Sequence, residues 1–313
     1  MRRLSHAIRT FVPFPHSLNY VELSISSSHD MDPDLAKQRI DAETLIRFRE
    51  RIIGPLSKLP FLGSRRLVSE WRNGSPILLY HRVVHDLDQT NSPFAVRRNQ
   101  FEQHVRELSA RFKLMTVGDL INYQNIEGTD DRTAAITFDD GDESVFTYAI
   151  PILQKYGAPA TFFVDTGRLG DPDVLSRENL QEMVSLGFEI GSHSVSHSDL
   201  RKLSSNRLEY ELRESMSQLN AIINQEITGF AYPFGYYNER IVRMLEICGY
   251  EYACTCRQNR ANNRGQPLFE LGRIEVNLDD QRENFRKKLS GTYAPVYSAW
   301  YGLNEILSRF VRG

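Results

Sequence analysis

The stretch ITFDDGDESV, residues 136 to 145, joins an apolar run to a cluster of charge. The run ends at Phe138, and two adjacent carboxylates, Asp139 and Asp140, precede a glycine. An Asp-Gly turn whose aspartate caps the next helix would explain one of the carboxylates. Two adjacent carboxylates repel each other when both are ionised and partly buried, unless a cation lies nearby. The pair therefore favours a metal site at the end of a buried strand.

Further short apolar runs flank this stretch, and amphipathic helical patterns separate them. Seven runs are predicted to be strands: PILLYH, AAITFD, ATFFVD, FEIGSH, GFAYP, YEYACT and LGRIEV. Such alternation is typical of βα-repeating folds. We predict an α/β fold, a distorted (β/α) barrel with about seven parallel strands and a site at the C-terminal strand ends. The longest predicted helix spans residues 204–224, with leucines and isoleucines on its core face and Asn206 and Glu209 at its cap.

A second candidate cluster is GSHSVSHSDL, where three residues separate His193 from His197. If the segment from Ser192 forms a helical turn, both imidazoles lie on one face and can bind one ion. Either histidine alone is more simply explained as an ordinary surface or core residue. A metal ion bound by two imidazoles and one carboxylate keeps coordination positions open for water and substrate, as in catalytic metal sites.

Charge and cysteine content narrow the possible functions. The 38 basic and 40 acidic residues give a formal charge of 38 − 40 = −2, which provides no global field for a polyanion, so no nucleic acid partner is expected. Cys254 and Cys256 would share one face of a strand and could hold a metal. Strand packing is the favoured interpretation, because free cysteine behaves as a small buried apolar residue.

Three motifs together carry a family resemblance. With TFDDG, HSVSH and FAYPFG in that order, LLYHRVV before them and LGRIEV after them, the chain resembles the NodB-type polysaccharide deacetylases, carbohydrate esterase family 4. The resemblance implies a metal-dependent hydrolase that removes N-acetyl or O-acetyl groups from a sugar, polysaccharide or glycan precursor. It implies Asp139 as the catalytic base and Asp140, His193 and His197 as ligands of a divalent ion, which we expect to be Zn²⁺.

The sequence departs from the family pattern at two points. The motif FAYPFG has Ala231 where the family commonly has an arginine that orients the base; Arg273 could replace it, or could be an exposed or structurally paired arginine. No histidine follows His197, so the family's late Leu-x-His element, which carries the general acid, is absent. His81, at the end of the first predicted strand, is our candidate for that acid.

Three consecutive residues where the fifth predicted strand ends complete the candidate site. We expect a backbone N–H near Tyr232, Pro233 and Phe234 to stabilise the oxyanion. Aromatic rings in and after this motif could stack on a sugar ring or simply pack.

The predicted domain boundaries are residues 1–72 for a partly helical N-terminal extension, 73–290 for the deacetylase domain and 291–313 for an amphipathic C-terminal tail. The tail either docks on the barrel or makes peripheral membrane contact near a lipid-linked glycan. No signal peptide or membrane span is recognisable, so we expect a cytoplasmic location.

Two other functions remain open at this point. One is a related metal-dependent amidohydrolase, such as a deformylase of a lipid-linked sugar or a cyclic-amide hydrolase. The other is a non-catalytic carbohydrate-binding descendant, which would explain the missing arginine and late histidine.

Overall fold

The structure is a computed structural model that describes residues 74–90, 92, 94–124, 132–258 and 262–292. The predicted N-terminal extension and nearly all of the predicted C-terminal tail lie outside the described residues. Ten strands are found in the described part: β1 Ile77–Tyr80, β2 Arg82–Val84, β3 Ala95–Arg97, β4 Lys113–Met115, β5 Thr133–Phe138, β6 Thr161–Val164, β7 Glu189–Ser192, β8 Gly229–Ala231, β9 Tyr252–Cys254 and β10 Ile274–Glu275.

Seven of these strands form the wall of a distorted barrel, as predicted. Their order is β10-β1-β5-β6-β7-β8-β9, and every neighbouring pair is parallel. A parallel bridge between Cys254 of β9 and Leu271, just before β10, connects the two ends of this order. The three strands that we did not predict have three residues each: β4 pairs with β5, and β2 pairs with β3 in a separate ribbon.

Helices follow the strands around the wall. They are α1 Arg98–Ser109, α2 Val117–Gln124, α3 Ile150–Lys155, α4 Arg177–Ser185, α5 Ser205–Ile223, α6 Glu239–Cys248 and α7 Arg282–Leu289. A π-helical turn, Val145–Ala149, leads into α3. Helices α2 and α7 were not predicted. The predicted cap of α5 was wrong: the Ser204 hydroxyl accepts the Arg207 N–H, and Asn206 lies inside the first turn.

The core has two parts because alternate residues of each strand face opposite sides of the sheet. Ile136 and Phe162 belong to the larger cluster, which contains the apolar faces of the surrounding helices. Ala135 and Phe163, of the opposite parity, belong to a smaller cluster with Ile77 and the apolar residues of α2. Both sheet faces are therefore covered, as expected for parallel strands.

The described residues contain no helix that is both apolar and long enough to cross a membrane. The predicted domain boundaries and the predicted cytoplasmic location stay predictions.

Candidate metal and catalytic site

Strand ends bring the predicted site residues to one rim. Asp139 and Asp140 follow β5, His193 follows β7, and Tyr232 follows β8. Arg273 directly precedes β10, whose Ile274 lies beside Leu78 of β1. The arginine therefore approaches the site from the barrel wall and does not lie at a C-terminal strand end.

Asp139 and Arg273 form a buried, two-pronged ion pair. Arg273 Nη1 lies 2.7 Å from Asp139 Oδ1, and Nη2 lies 2.6 Å from Oδ2. The exposed fraction is 2% for Asp139 and 1% for Arg273. Arg273 also donates to the Thr137 hydroxyl and to the Thr255 carbonyl oxygen, which fixes the plane of its guanidinium. The alternative of a solvent-exposed arginine is thus excluded, and the cation expected beside Asp139 is present.

The ion pair decides the charge state of Asp139. Burial alone would raise the pKa of this carboxyl group, but the charges of Arg273 and His193 outweigh burial and lower the pKa below its usual value. Burial likewise acts against the charge of Arg273, whose pKa is nevertheless raised by Asp139. Asp139 is therefore held as a carboxylate with its proton-accepting lone pairs in place.

Asp140, His193 and His197 form the one cluster of possible metal ligands in the described part of the chain. Their ligand atoms all lie within 4.8 Å of one another. Both His193 Nε2 and His197 Nε2 lie 3.4 Å from Asp140 Oδ1. His193 Nδ1 donates to the Ala231 carbonyl oxygen at 2.7 Å, which leaves Nε2 directed at the cluster.

The backbone around the two histidines is not the helical turn that we predicted. The chain leaves β7 at Ser192 and continues as a loop to a short 3₁₀ turn that begins at Leu200. Ser194 and His197 both have positive φ, 70° and 50°. The prediction was wrong because it considered spacing alone, whereas contacts with other elements determine this loop. The imidazole rings still meet, with centroids 4.8 Å apart.

The electrostatics of the cluster differ from residue to residue. Burial lowers the pKa of His197 to about 4, assisted by the charge of His193. Burial acts in the same direction on His193, but Asp139 and Asp140 outweigh it and raise the pKa. For Asp140, burial opposes ionisation, while the hydrogen bond from His193 and the charges of three histidines bring the pKa far below its usual value.

His81 lies between β1 and β2, at the same rim. Its charge is among the causes that lower the pKa values of Asp139 and Asp140. The ring packs edge-on against Phe94 at 5.0 Å, and its Nδ1 atom is buried without a hydrogen-bond partner. The predicted role of His81 as general acid stays a prediction. His104 is excluded from that role, because it is buried between the Tyr80 hydroxyl and the Asp280 carbonyl oxygen.

The three residues after β8 face different surroundings. Tyr232 is fully buried, and its hydroxyl donates to the Phe269 carbonyl oxygen, so its ring is not available to stack on a sugar. Its N–H donates to the Cys254 carbonyl oxygen. Proline has no N–H, which leaves Phe234 as the remaining oxyanion donor of the predicted three. The Phe234 ring is 40% exposed and contacts His197, with centroids 4.6 Å apart.

Within the described residues, Cys254 and Cys256 belong to no cluster of possible metal ligands. Burial raises the pKa values of Cys254 and Cys256 to about 12, so both thiols stay protonated at neutral pH. Cys254 packs in the smaller core cluster, in agreement with the favoured interpretation.

Two carboxylates beside the site were missed. Asp165 follows β6 and binds Arg168 at 2.9 Å, while its other oxygen is buried without a partner. The run ATFFVD ends in an aspartate just as AAITFD does, and this parallel could have revealed it. Glu211 contacts the loop between the two histidines. It lies on the apolar face of α5 together with Leu208 and Leu212, an unusual place for a glutamate.

Comparisons with known proteins agree with the fold and with the motifs. Residues 127–253 match the family model for polysaccharide deacetylases. The Bacillus subtilis protein YxkH is 29% identical over 203 residues, which cover 64% of this chain and 71% of YxkH. A poly-β-1,6-N-acetyl-D-glucosamine N-deacetylase of Staphylococcus aureus is 27% identical over 213 residues, which cover 63% of this chain and 73% of that protein.

Solved structures show the same architecture. The Streptococcus pyogenes deacetylase PplD, in complex with acetate, superposes with a TM-score of 0.64 at 26% identity, covering 69% of this chain and 98% of PplD. The polysaccharide deacetylase BC0361 of Bacillus cereus gives a TM-score of 0.61 at 25% identity, covering 69% of each chain. The predicted resemblance to the polysaccharide deacetylases is therefore confirmed for the matched residues, and the fold is the deacetylase (β/α) barrel. The chain's enzyme class is that of the polysaccharide deacetylases, which are hydrolases acting on carbon–nitrogen bonds other than peptide bonds.

Proposed function

We propose that this protein is a Zn²⁺-dependent N-deacetylase that releases acetate from an N-acetylated glycan. One observation carries the proposal: the Asp140, His193 and His197 cluster lies beside the buried Asp139–Arg273 pair, at the rim of a deacetylase barrel. A non-catalytic descendant would have no need of a buried carboxylate held ionised next to three metal-ligand side chains.

The donor set fits a divalent ion. Two imidazoles and one carboxylate are common ligands of catalytic zinc, and the cluster spans no more than 4.8 Å. Donation of His193 Nδ1 to a backbone carbonyl is the usual way of orienting a metal-binding histidine. When bound, the ion supplies Lewis-acid chemistry, which polarises the acetyl carbonyl and makes water more acidic.

Asp139 accepts the proton of the attacking water in this proposal. Both of its oxygens bind Arg273, yet each carboxylate oxygen has a further lone pair. The Oδ2 atom of Asp139 lies 4.0 Å from His193 Nε2, on the side of the metal ligands. The arginine keeps Asp139 ionised, so that it can accept a proton, and fixes the orientation of its carboxylate.

His81 donates a proton to the departing sugar nitrogen. An amine leaves a tetrahedral intermediate productively only when its nitrogen is protonated, and His81 is the remaining histidine beside the site in the described residues. The Phe234 N–H stabilises the oxyanion, and its exposed ring forms an apolar surface for one face of the sugar.

The substrate class rests on the relatives. The Staphylococcus aureus relative is named for a polymer of β-1,6-linked N-acetylglucosamine. We therefore propose an N-acetylated glucosamine polymer as the first substrate to test.

Acetate and formate release from a panel of substrates tests this function. The panel contains β-1,6- and β-1,4-linked N-acetylglucosamine oligomers, an O-acetylated sugar, an N-formylated amino sugar and a cyclic amide, with the D139N variant as the inactive control. We expect acetate from the N-acetylated oligomers and none with D139N. Formate release or ring opening alone would support the related amidohydrolase, and no turnover of any substrate would support the non-catalytic alternative.

A further inference from the structure

The loop from His193 to His197 is held in a conformation that its own sequence does not favour. Ser194 and His197 have left-handed backbone conformations, with φ of 70° and 50°, although neither is glycine. Residues other than glycine rarely adopt this region because the Cβ atom crowds the backbone, although histidine does so more often than serine. Contacts from outside the loop add to its own hydrogen bonds in stabilising this conformation.

One side of this loop rests on the turn after β6. The Thr166 N–H donates to the Ser194 carbonyl oxygen at 3.1 Å, and the Gly167 N–H donates to the Val195 carbonyl oxygen at 2.8 Å. A Cβ atom on Gly167 would lie 2.5 Å from that carbonyl oxygen, so the two segments are in close contact. These bonds satisfy loop carbonyl groups and leave the loop N–H groups to other acceptors.

A single carboxylate supplies the acceptors on the other side. Glu211 Oε2 accepts the Val195 N–H at 3.0 Å and the Ser196 N–H at 2.8 Å, while Oε1 accepts the Ser196 hydroxyl at 2.8 Å. The Glu211 side chain is completely buried, and Arg207, one turn earlier on α5, lies 2.8 Å from its Oε1 atom. Three donors of the loop thus converge on one side chain of a rigid helix.

The bonded segment ends at a metal-ligand residue. Ser196 immediately precedes His197, whose N–H is fixed in turn by the Ser194 hydroxyl at 3.1 Å. Anchoring Val195 and Ser196 therefore determines where the His197 ring lies and keeps its Nε2 atom 3.4 Å from Asp140 Oδ1. His193 depends less on this anchor, because it directly follows β7 and is held by the Ala231 carbonyl oxygen.

We infer that Glu211 is a positioning residue, which fixes His197 in the geometry needed to bind the metal ion. The inference rests on the proposed metal site. An amide in place of the carboxylate has one acceptor oxygen, so its NH₂ group would face either the two backbone N–H groups of the loop or the Arg207 guanidinium. The loop would then either lose two of its bonds or keep them beside two opposed donors, and in both cases the support of His197 would be weaker.

The test compares Glu211→Gln with Glu209→Gln. Glu209 lies on the same helix and pairs with an arginine four residues away, as Glu211 does, but it faces solvent and not the loop. The Zn²⁺ dissociation constant is measured by competition with a chromophoric chelator. Hydrogen exchange of a peptide spanning residues 193–198 is measured by mass spectrometry on the metal-free protein.

We expect E211Q to weaken Zn²⁺ binding by about ten- to a hundred-fold, as for other residues that orient metal ligands. It should also accelerate exchange in the loop peptide, whereas E209Q should leave both values unchanged. In a His197→Ala background, E211Q should weaken Zn²⁺ binding by much less, because the ligand that it positions is gone. Unchanged affinity in E211Q, or the same loss in both backgrounds, would overturn the inference.

A milder variant applies if E211Q does not fold. Ser196→Ala removes the hydroxyl bonds to Glu211 and Ser198 and keeps the backbone bonds to Glu211, and we expect a roughly two- to ten-fold weaker Zn²⁺ affinity with faster loop exchange. No change in either value would contradict the role of Glu211. If the parent protein takes up no Zn²⁺, the proposed metal site fails, and exchange in E211Q alone decides whether Glu211 holds the loop.

Discussion

Replacing Arg273 by methionine would remove the positive charge and leave Asp139 buried without its partner. The two hydrogen bonds of 2.7 and 2.6 Å would be lost, while Asp139 would stay only 2% exposed. Removing one partner of a buried ion pair typically costs about 3 to 5 kcal/mol, because the other charge is left uncompensated. We expect R273M to lose about that much of its free energy of unfolding, measured by urea denaturation with chelator present.

The contribution of Asp139 to the pH dependence of the unfolding free energy should also change its sign in R273M. In the parent, the pKa of Asp139 is lowered by folding, so the contribution of this group to stability is present above its unfolded pKa and is lost as pH falls through the folded pKa. Without Arg273, burial dominates and raises the pKa. The buried charge of Asp139 in R273M should then destabilise the protein at neutral pH. This destabilisation should decrease as pH falls toward 4, because Asp139 becomes protonated. The acid limb of any residual activity should move to higher pH.

A double variant separates the lost charge pair from lost packing. In D139N/R273M neither charge is buried, so the double variant should be more stable than R273M by about 2 kcal/mol, although D139N alone destabilises the parent. The surface pair Arg286–Glu107 provides a control, since R286M should cost less than about 1 kcal/mol. If R273M costs no more than R286M, or if D139N does not recover stability in R273M, the Asp139–Arg273 interaction is not what we describe.

Three further predictions concern single side chains. Asp140→Ala should lose both Zn²⁺ and turnover, whereas Asp139→Asn should keep Zn²⁺ and lose turnover; equal metal loss by elemental analysis would show that the base is misassigned. His81→Ala should slow amide hydrolysis by about 10² to 10⁴ at unchanged metal content and affect activated aryl acetates far less, and equal slowing of both would make His81 structural. Burial lowers the pKa of His104 from 6.5 to about 4, so its contribution to stability is complete above pH 6.5 and falls by up to about 3 kcal/mol toward pH 4. His104→Gln should make the free energy of unfolding less dependent on pH between pH 6.5 and pH 4. An unchanged slope of unfolding free energy against pH would mean that His104 does not titrate as described.

The barrel strands β1, β5 and β6 could be predicted most directly, because each is an almost continuous apolar run that ends in polar residues. Parallel strands that are covered on both faces need no alternation of apolar and polar residues. AAITFD and ATFFVD can therefore be recognised as strands from their own sequence alone. The strands β2, β3 and β4 have three residues each, too few for a periodic signal. Helix α2 was missed for a similar reason, since its eight residues give barely two turns.

The site could be predicted where strand ends alone determine position. Asp139, Asp140 and His193 follow their strands directly, so the sheet places them without help from loops. The conformation around His197 could not be predicted, because Glu211 and the turn at Thr166 impose it from segments far away in sequence. The direction of the Tyr232 ring depends on stacking with Tyr237 and on a hydrogen bond to the Phe269 carbonyl oxygen, which the motif FAYPFG does not reveal.

Acetate release before and after removal of metal tests the central claim most directly. The protein is incubated with a β-linked N-acetylglucosamine oligomer as purified, after exhaustive chelation, and after addition of one equivalent of Zn²⁺ to the chelated sample. We predict that chelation abolishes acetate release, that Zn²⁺ restores it, and that D140A stays inactive throughout. Full acetate release from the chelated protein would contradict the metal-dependent mechanism.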